Sequence, residues 1–290
     1  VRYRNLFIGA SCLLFGFGAK AGVFPLHIWL PKAHPVAPAP ASALLSGILT
    51  KAGIFGVLVV SCSLLQFDVR WGALILFLGV LTMFTGALLA LFSVNLKRTL
   101  ACSSVSQIGF ILIGIGMQGL LVEEGSLAIR GSLLHMVNHS LIKLVLFMAA
   151  GVVFMNLHKL NLNEIRGFGR KKPLLNVCFL MGALGIGGVP LWNGYTSKTL
   201  LHESIVEYRL LLASANAGVP AGGAHASQAV AELSRAGIAG SPAAGSVLSF
   251  FTGPLWMGIV EWVFLISGGL TVAYMLKLYI CLFLEKNADK

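Results

Sequence analysis

Seven stretches of this chain are apolar over about twenty residues or more, the length a helix needs to cross the hydrocarbon core of a bilayer at about 1.5 Å per residue. They run from about Leu6 to Leu30, Ala41 to Ser61, Trp71 to Val94, Leu100 to Leu121, Gly131 to Phe154, Pro173 to Leu211 and Trp256 to Leu284. The expected fold is therefore an all-α, polytopic transmembrane helix bundle. Composition agrees: 57% of residues are apolar and 11% charged, against about 25% charged in soluble domains, which excludes a soluble enzyme domain. Arg2, Arg4 and the run from Leu6 to Phe15 resemble a signal peptide superficially. Beyond Phe15, Lys20 and Pro25 interrupt the chain and its apolar character then resumes, so the run is read as the first span.

Two of the stretches are broken. Gly16, Gly18, Gly22 and Pro25 interrupt the first, and Gly185, Gly187, Gly188, Pro190 and Gly194 the sixth, residues that loosen or break a helical ladder. Pro31 to Pro40, with four prolines, reads as a loop. Asn95-Leu96-Lys97-Arg98 reads as a tight helical hairpin. The segment from Leu212 to Ser246 is Ala/Gly/Ser-rich and reads as an extramembrane connection with one short helix near Ser227 to Arg235.

Basic residues outnumber acidic ones 21 to 10, and most lie in short loops, where they report topology rather than a nucleic-acid partner. With alternating spans, six Lys and Arg fall on the side of the amino terminus and ten on the other, Lys97 among them. That places the basic loop after Phe154 in the cytoplasm. Cys12, Cys62, Cys102, Cys178 and Cys281 are scattered singly, so neither a disulfide framework nor a metal or cluster site is expected.

Some charges lie where lipid should be. Lys51 is about ten residues from either end of its stretch, too deep for its stem to reach headgroups. Lys277, seven residues from the end of the last stretch, is expected to reach them. His135, His139 and Lys143 recur at i, i+4 and i+8 and line one helix face. Lys143 falls near mid-depth, where an ionisable side chain faces protein or water and marks function. Lys20 and Lys198 sit at the two broken stretches, and paired broken helices point to an ion pathway. Burial can tune a lysine toward neutrality while arginine stays charged, and histidine titrates nearer neutral pH. A line of lysines relayed by histidines is thus suited to carry protons.

Gly18-Ala19-Lys20-Ala21-Gly22-Val23-Phe24-Pro25-Leu26-His27-Ile28-Trp29-Leu30-Pro31, followed by Ala33-His34 and by Pro38 to Leu45, resembles the antiporter-like subunits of complex I. Mrp-type antiporters and the membrane subunits of formate hydrogenlyase and hydrogenase-4-like complexes share that family. The resemblance implies that Lys20 stands for the lysine of the first broken helix and Lys51 for that of the next helix. It implies likewise that Lys143 is the central lysine with His135 and His139 as its relay, and Lys198 the terminal lysine of the second broken helix. The family is built from two inverted five-helix repeats. By the resemblance, residues 1–61 end the first repeat and 62–211 form the second. Residues 212–246 are then a connection, which fits the family poorly, and 247–290 the last helix and tail. The glutamate that the family pairs with the first lysine belongs to an upstream helix outside this sequence.

The expectation is a multi-pass subunit of the cell (inner) membrane that moves protons for a redox-driven complex, of hydrogenase-4/formate hydrogenlyase or NADH-quinone oxidoreductase type. Lys143 and Lys198 exchange a proton, with Lys51 and Lys20 feeding from the other direction. Other membrane subunits and the bilayer are the expected partners, with no cofactor, metal or nucleic acid. The alternatives are an Mrp-type sodium/proton antiporter subunit and a structural membrane anchor of a redox complex.

Overall fold

Every apolar stretch is helical in the computed structural model, which describes residues 2–66, 68–121, 126–217 and 247–286. The expected short helix near Ser227 to Arg235 lies outside the described residues. In chain order the helices are α1 (Arg2–Ala21), α2 (Trp29–Val36), α3 (Ala39–Leu64), α4 (Val69–Phe92), α5 (Leu96–Leu121), α6 (Ser126–Leu157), α7 (Pro173–Gly187), α8 (Asn193–Ala217), α9 (Val247–Thr252) and α10 (Pro254–Leu284). Six of these spans, with α1 and α2 counted together, are long and apolar enough to cross a membrane. The broken pair α7 and α8 supplies the remaining apolar stretch.

The first break is narrower than the glycines suggest. Helix α1 runs through Gly16 and Gly18 and stops only at Gly22, whose φ of 83° ends the ladder. The amides of Gly22 and Val23 both return to the Gly18 carbonyl, each at 2.9 Å. Unwound backbone inside a membrane must find partners within the protein. Here the Phe24 amide donates to Thr82 Oγ1 of α4 (3.0 Å), and the Trp29 indole reaches back to the Ala19 carbonyl (2.8 Å). The proline-rich stretch from Pro31 to Pro40 is not a loop. Pro31 lies in the first turn of α2, where its missing N–H has no partner to lose, and α2 continues through Pro35 to Val36. Only Ala37 and Pro38 are extended before α3 begins.

The second break is built in the same way. Helix α7 continues through Gly185 and Gly187 to end at Gly188 (φ 78°), and Gly194 already lies in α8. Asn138 of α6 donates its side-chain amide to the Asn193 carbonyl (2.8 Å), while Asn193 donates to Asn138 Oδ1 (3.3 Å). The bridge ties the restart of the helix to its neighbour.

Helix α5 is the hub. Its most apolar stretch is entirely buried, packed against α2, α4, α6, α8 and α10. Its contact with α4 is so close because glycines line it. Gly72, Gly79 and Gly86 of α4, seven residues apart, face Gly116, Ile113 and Ser106 of α5, and Gly116 in turn faces Leu76. A Cβ at Gly116 would lie 2.6 Å from the Leu76 backbone nitrogen. Without a hydrophobic drive between helices in lipid, such small-residue seams let backbones touch. Gly116→Leu is therefore expected to destabilise the bundle by about 1–3 kcal/mol, read as a lower melting temperature of the purified protein in detergent. An unchanged melting temperature would show that the seam is looser than described.

The hairpin between α4 and α5 is as tight as expected. It also binds the basic loop: the Leu96 amide donates to the Leu160 carbonyl (2.9 Å) and the Leu162 amide to that of Val94 (2.8 Å).

Candidate functional site

The i, i+4, i+8 spacing on α6 gives the expected ladder. His135, His139 and Lys143 are buried on one face, at 2%, 1% and 0% exposure. The two imidazoles lie nearly parallel, 9° apart, with centroids 6.3 Å apart.

The ladder faces α5. Lys143 Nζ donates to the Leu100 carbonyl (2.7 Å) and to Ser103 Oγ. That same carbonyl also accepts from Ser104 Oγ (3.1 Å), whose oxygen lies 2.6 Å from Ser46 Oγ of α3. Lys51 Nζ, buried on α3, donates to the Ser46 carbonyl. One turn of α5, Leu100 to Ser104, thus holds Lys143 and touches the hydroxyl of Ser46, the residue whose carbonyl holds Lys51. Higher on α5, Gln107 Oε1 lies 3.0 Å from His135 Nε2, and Ser197 Oγ of α8 lies 2.9 Å from His135 Nδ1. Lys198, the next residue, is buried and donates to the Ile186 carbonyl at the end of α7 (2.8 Å), with its nitrogen 4.9 Å from the Phe110 ring centroid. It lies within α8 rather than in the unwound segment, and its amine satisfies a carbonyl that the break leaves open.

Lys51, Lys143 and Lys198 are thus brought together around α5 with the histidine ladder, each held by carbonyl or hydroxyl oxygens. The described ion pairs, Lys159 with Glu164, Arg166 with Glu285, and His202 and Arg209 with Glu261, lie elsewhere. Lys20 stands apart. It is exposed on the last turn of α1, which α3 covers on one face, and is not buried as the sequence reading expects.

Several residues escape that reading. Lys97, counted as a loop charge, is buried in the first turn of α5, donating to the Ala37 carbonyl that ends α2 (2.9 Å). His34 is fully buried, stacked on Phe147 at 4.5 Å, and neither of its ring nitrogens, nor either of those of His139, has a hydrogen-bond partner among the described residues. Ser103, Ser104 and Gln107 sit inconspicuously within an apolar run, where their clustering is the available signal.

Lys277 corrects another expectation. It does not reach for headgroups; its amine donates to the carbonyls of Ala90 (3.1 Å), Leu91 (2.6 Å) and Ser93 (2.8 Å) and closes the end of α4. A cation at a helix C-terminus is favoured by both hydrogen bonding and the helix dipole. Lys277→Met is expected to destabilise the protein by about 1–2 kcal/mol while leaving any transport per folded molecule unchanged. A melting curve alongside a transport assay separates the two effects.

The family model described as NADH:quinone oxidoreductase/Mrp antiporter, transmembrane region, matches residues 1–220. The chain belongs to this family. Among curated relatives of this antiporter-like family, it is 40% identical over 199 residues to hydrogenase-4 component B of Escherichia coli K12, covering 66% of this chain and 30% of that protein. It is 36% identical over 212 residues to formate hydrogenlyase subunit 3 of the same organism, covering 70% and 35%. The chain thus spans about a third of the length of these relatives. Among solved structures, the Mrp complex from a Dietzia species matches with TM-score 0.74 and 22% identity, over 96% of this chain and 42% of that one. Respiratory complex I from Thermus thermophilus matches with TM-score 0.69 and 21% identity, over 96% and 48%. At such identity the likeness is one of fold, and it is the antiporter-like fold that the resemblance implied. The chain is a multi-pass membrane protein.

Proposed function

We propose that this chain moves protons within the membrane arm of a redox-driven complex, through Lys51, Lys143 and Lys198 with His135 and His139 as relays. The observation that carries the reading is Lys143: an amine with no exposure, midway along a membrane helix, held by a carbonyl and a hydroxyl rather than a carboxylate. Lys97 and Lys277 are also held by carbonyls, but those carbonyls close helix ends; the Leu100 carbonyl lies within α5, where a buried ammonium closes no helix end and is costly to keep. An amine held by dipoles can release its proton without orphaning a buried carboxylate. The His34 and His139 nitrogens, without partners among the described residues, support the same reading, because buried polar atoms of this kind are where internal water binds.

In this mechanism a proton on Lys198 passes along the His135 and His139 face to Lys143. The Leu100 to Ser104 turn links Lys143 to Lys51 on the other side. Lys20, exposed at the first break, is the proposed exchange point with whatever helix covers α1. The chain's relatives are named as components of hydrogenase-4 and formate hydrogenlyase, so other membrane subunits of a redox complex are the proposed partners and supply the driving reaction. Flux in membrane vesicles carrying Lys143→Ala tests the reading. Sodium-dependent pH changes would instead favour a cation/proton antiporter, and lost assembly with normal flux per complex would favour an anchor.

A further inference from the structure

The proposed pathway stops at Lys198, yet α8, the least apolar of the long helices, continues beyond it, carrying His202 one turn after Lys198 and Arg209 two turns after that. Both side chains converge on one acid of the neighbouring helix, Glu261 of α10: His202 Nε2 lies 3.4 Å from Glu261 Oε1, and Arg209 donates to Glu261 Oε2. Side-chain exposure rises outward, from 18% for Glu261 and 27% for His202 to 45% for Arg209.

Between Lys198 and this triad stand two aromatic rings. Phe110 and Phe264 pack edge to face, 4.8 Å apart at 82°, at 0% and 5% exposure. The Lys198 amine and the His135 ring approach Phe110, at 4.9 Å and 6.0 Å, whereas His202 lies against Phe264 at 5.8 Å. The polar groups on either side are thus separated by a buried pair of rings.

We infer that His202, which faces Glu261 while Arg209 holds that acid's other oxygen, is a further proton-accepting site beyond Lys198, and that the Phe110–Phe264 pair is the barrier between them. When the barrier admits water, the Lys198 ammonium loses a proton and becomes a neutral amine, His202 becomes an imidazolium beside the Glu261 carboxylate, and the proton then leaves to bulk water. Arg209 occupies Glu261 Oε2, which leaves Oε1 to face the imidazolium. The inference rests on the proposed transport reading and extends it by one site and one gate.

The test uses vesicles containing the assembled complex, with assembly measured in each variant by native electrophoresis. His202→Leu is expected to lower coupled proton flux at least about tenfold at normal assembly. Phe264→Leu is expected to speed the decay of an imposed pH gradient severalfold with no driving reaction, an effect that a merely structural clamp between α8 and α10 would not produce. Normal flux in assembled His202→Leu, with flux lost in Lys143→Ala, overturns this inference and leaves the transport reading intact. Normal flux in both overturns the transport reading itself. Should His202→Leu fail to assemble, Phe264→Leu decides: an unchanged leak overturns the gate.

Discussion

Replacing Lys143 by alanine is expected to abolish coupled proton movement, by about a hundredfold or more, while the protein remains in the membrane. The amine is the junction of the two halves of the site: it follows His135 and His139 on α6 and shares the Leu100 carbonyl with the serine that leads to Lys51. Truncation removes the only side chain of α6 that reaches that turn by a hydrogen bond among the described residues. The Leu100 carbonyl keeps Ser103 and Ser104 as donors, so the cost is that of the lost charged hydrogen bonds, about 1.5–3 kcal/mol. That loss is tolerable, since no buried carboxylate is left without its counter-ion. Flux measured with a pH-sensitive dye and normalised to assembled protein separates the two effects, and undiminished coupled flux would refute the role given to Lys143.

The second large effect is expected from Lys198→Arg, which keeps the positive charge and the donors but not the ability to let a proton go, because a guanidinium stays protonated throughout the physiological range. Flux is expected to fall about as far as in Lys143→Ala, with the break at Gly188 to Trp192 still closed. Lys198→Met differs informatively. The Ile186 carbonyl then loses its donor, and hydrogen exchange around the break is expected to quicken as well. An arginine variant with normal flux would show that the amine serves only to close the end of α7.

The spans and their order were legible in the sequence because hydrocarbon thickness leaves few choices of length, and backbone hydrogen bonding leaves few choices of structure. So was the ladder on α6, since 3.6 residues per turn place positions 135, 139 and 143 on one face whatever surrounds them. The two breaks were visible as glycine and proline clusters, although their limits were not. Gly16 and Gly18 remain helical, and Pro31 and Pro35 lie within α2.

The surroundings of each charge were decided only by packing. Lys97 and Lys277 looked like loop and headgroup lysines, and became ligands of the ends of α2 and α4 because other helices bring those carbonyls to them. Lys20 looked buried and is not, since burial depends on which helices cover α1. Sequence alone determined that amines and imidazoles lie within membrane helices, because composition and period are local properties. Only the tertiary structure decided what lies between them, since the Ser46 hydroxyl, beside the carbonyl that holds Lys51, meets Ser104 on the turn of α5 that holds Lys143. Contacts between distant helices are set by the close packing of side chains, which no single helix encodes.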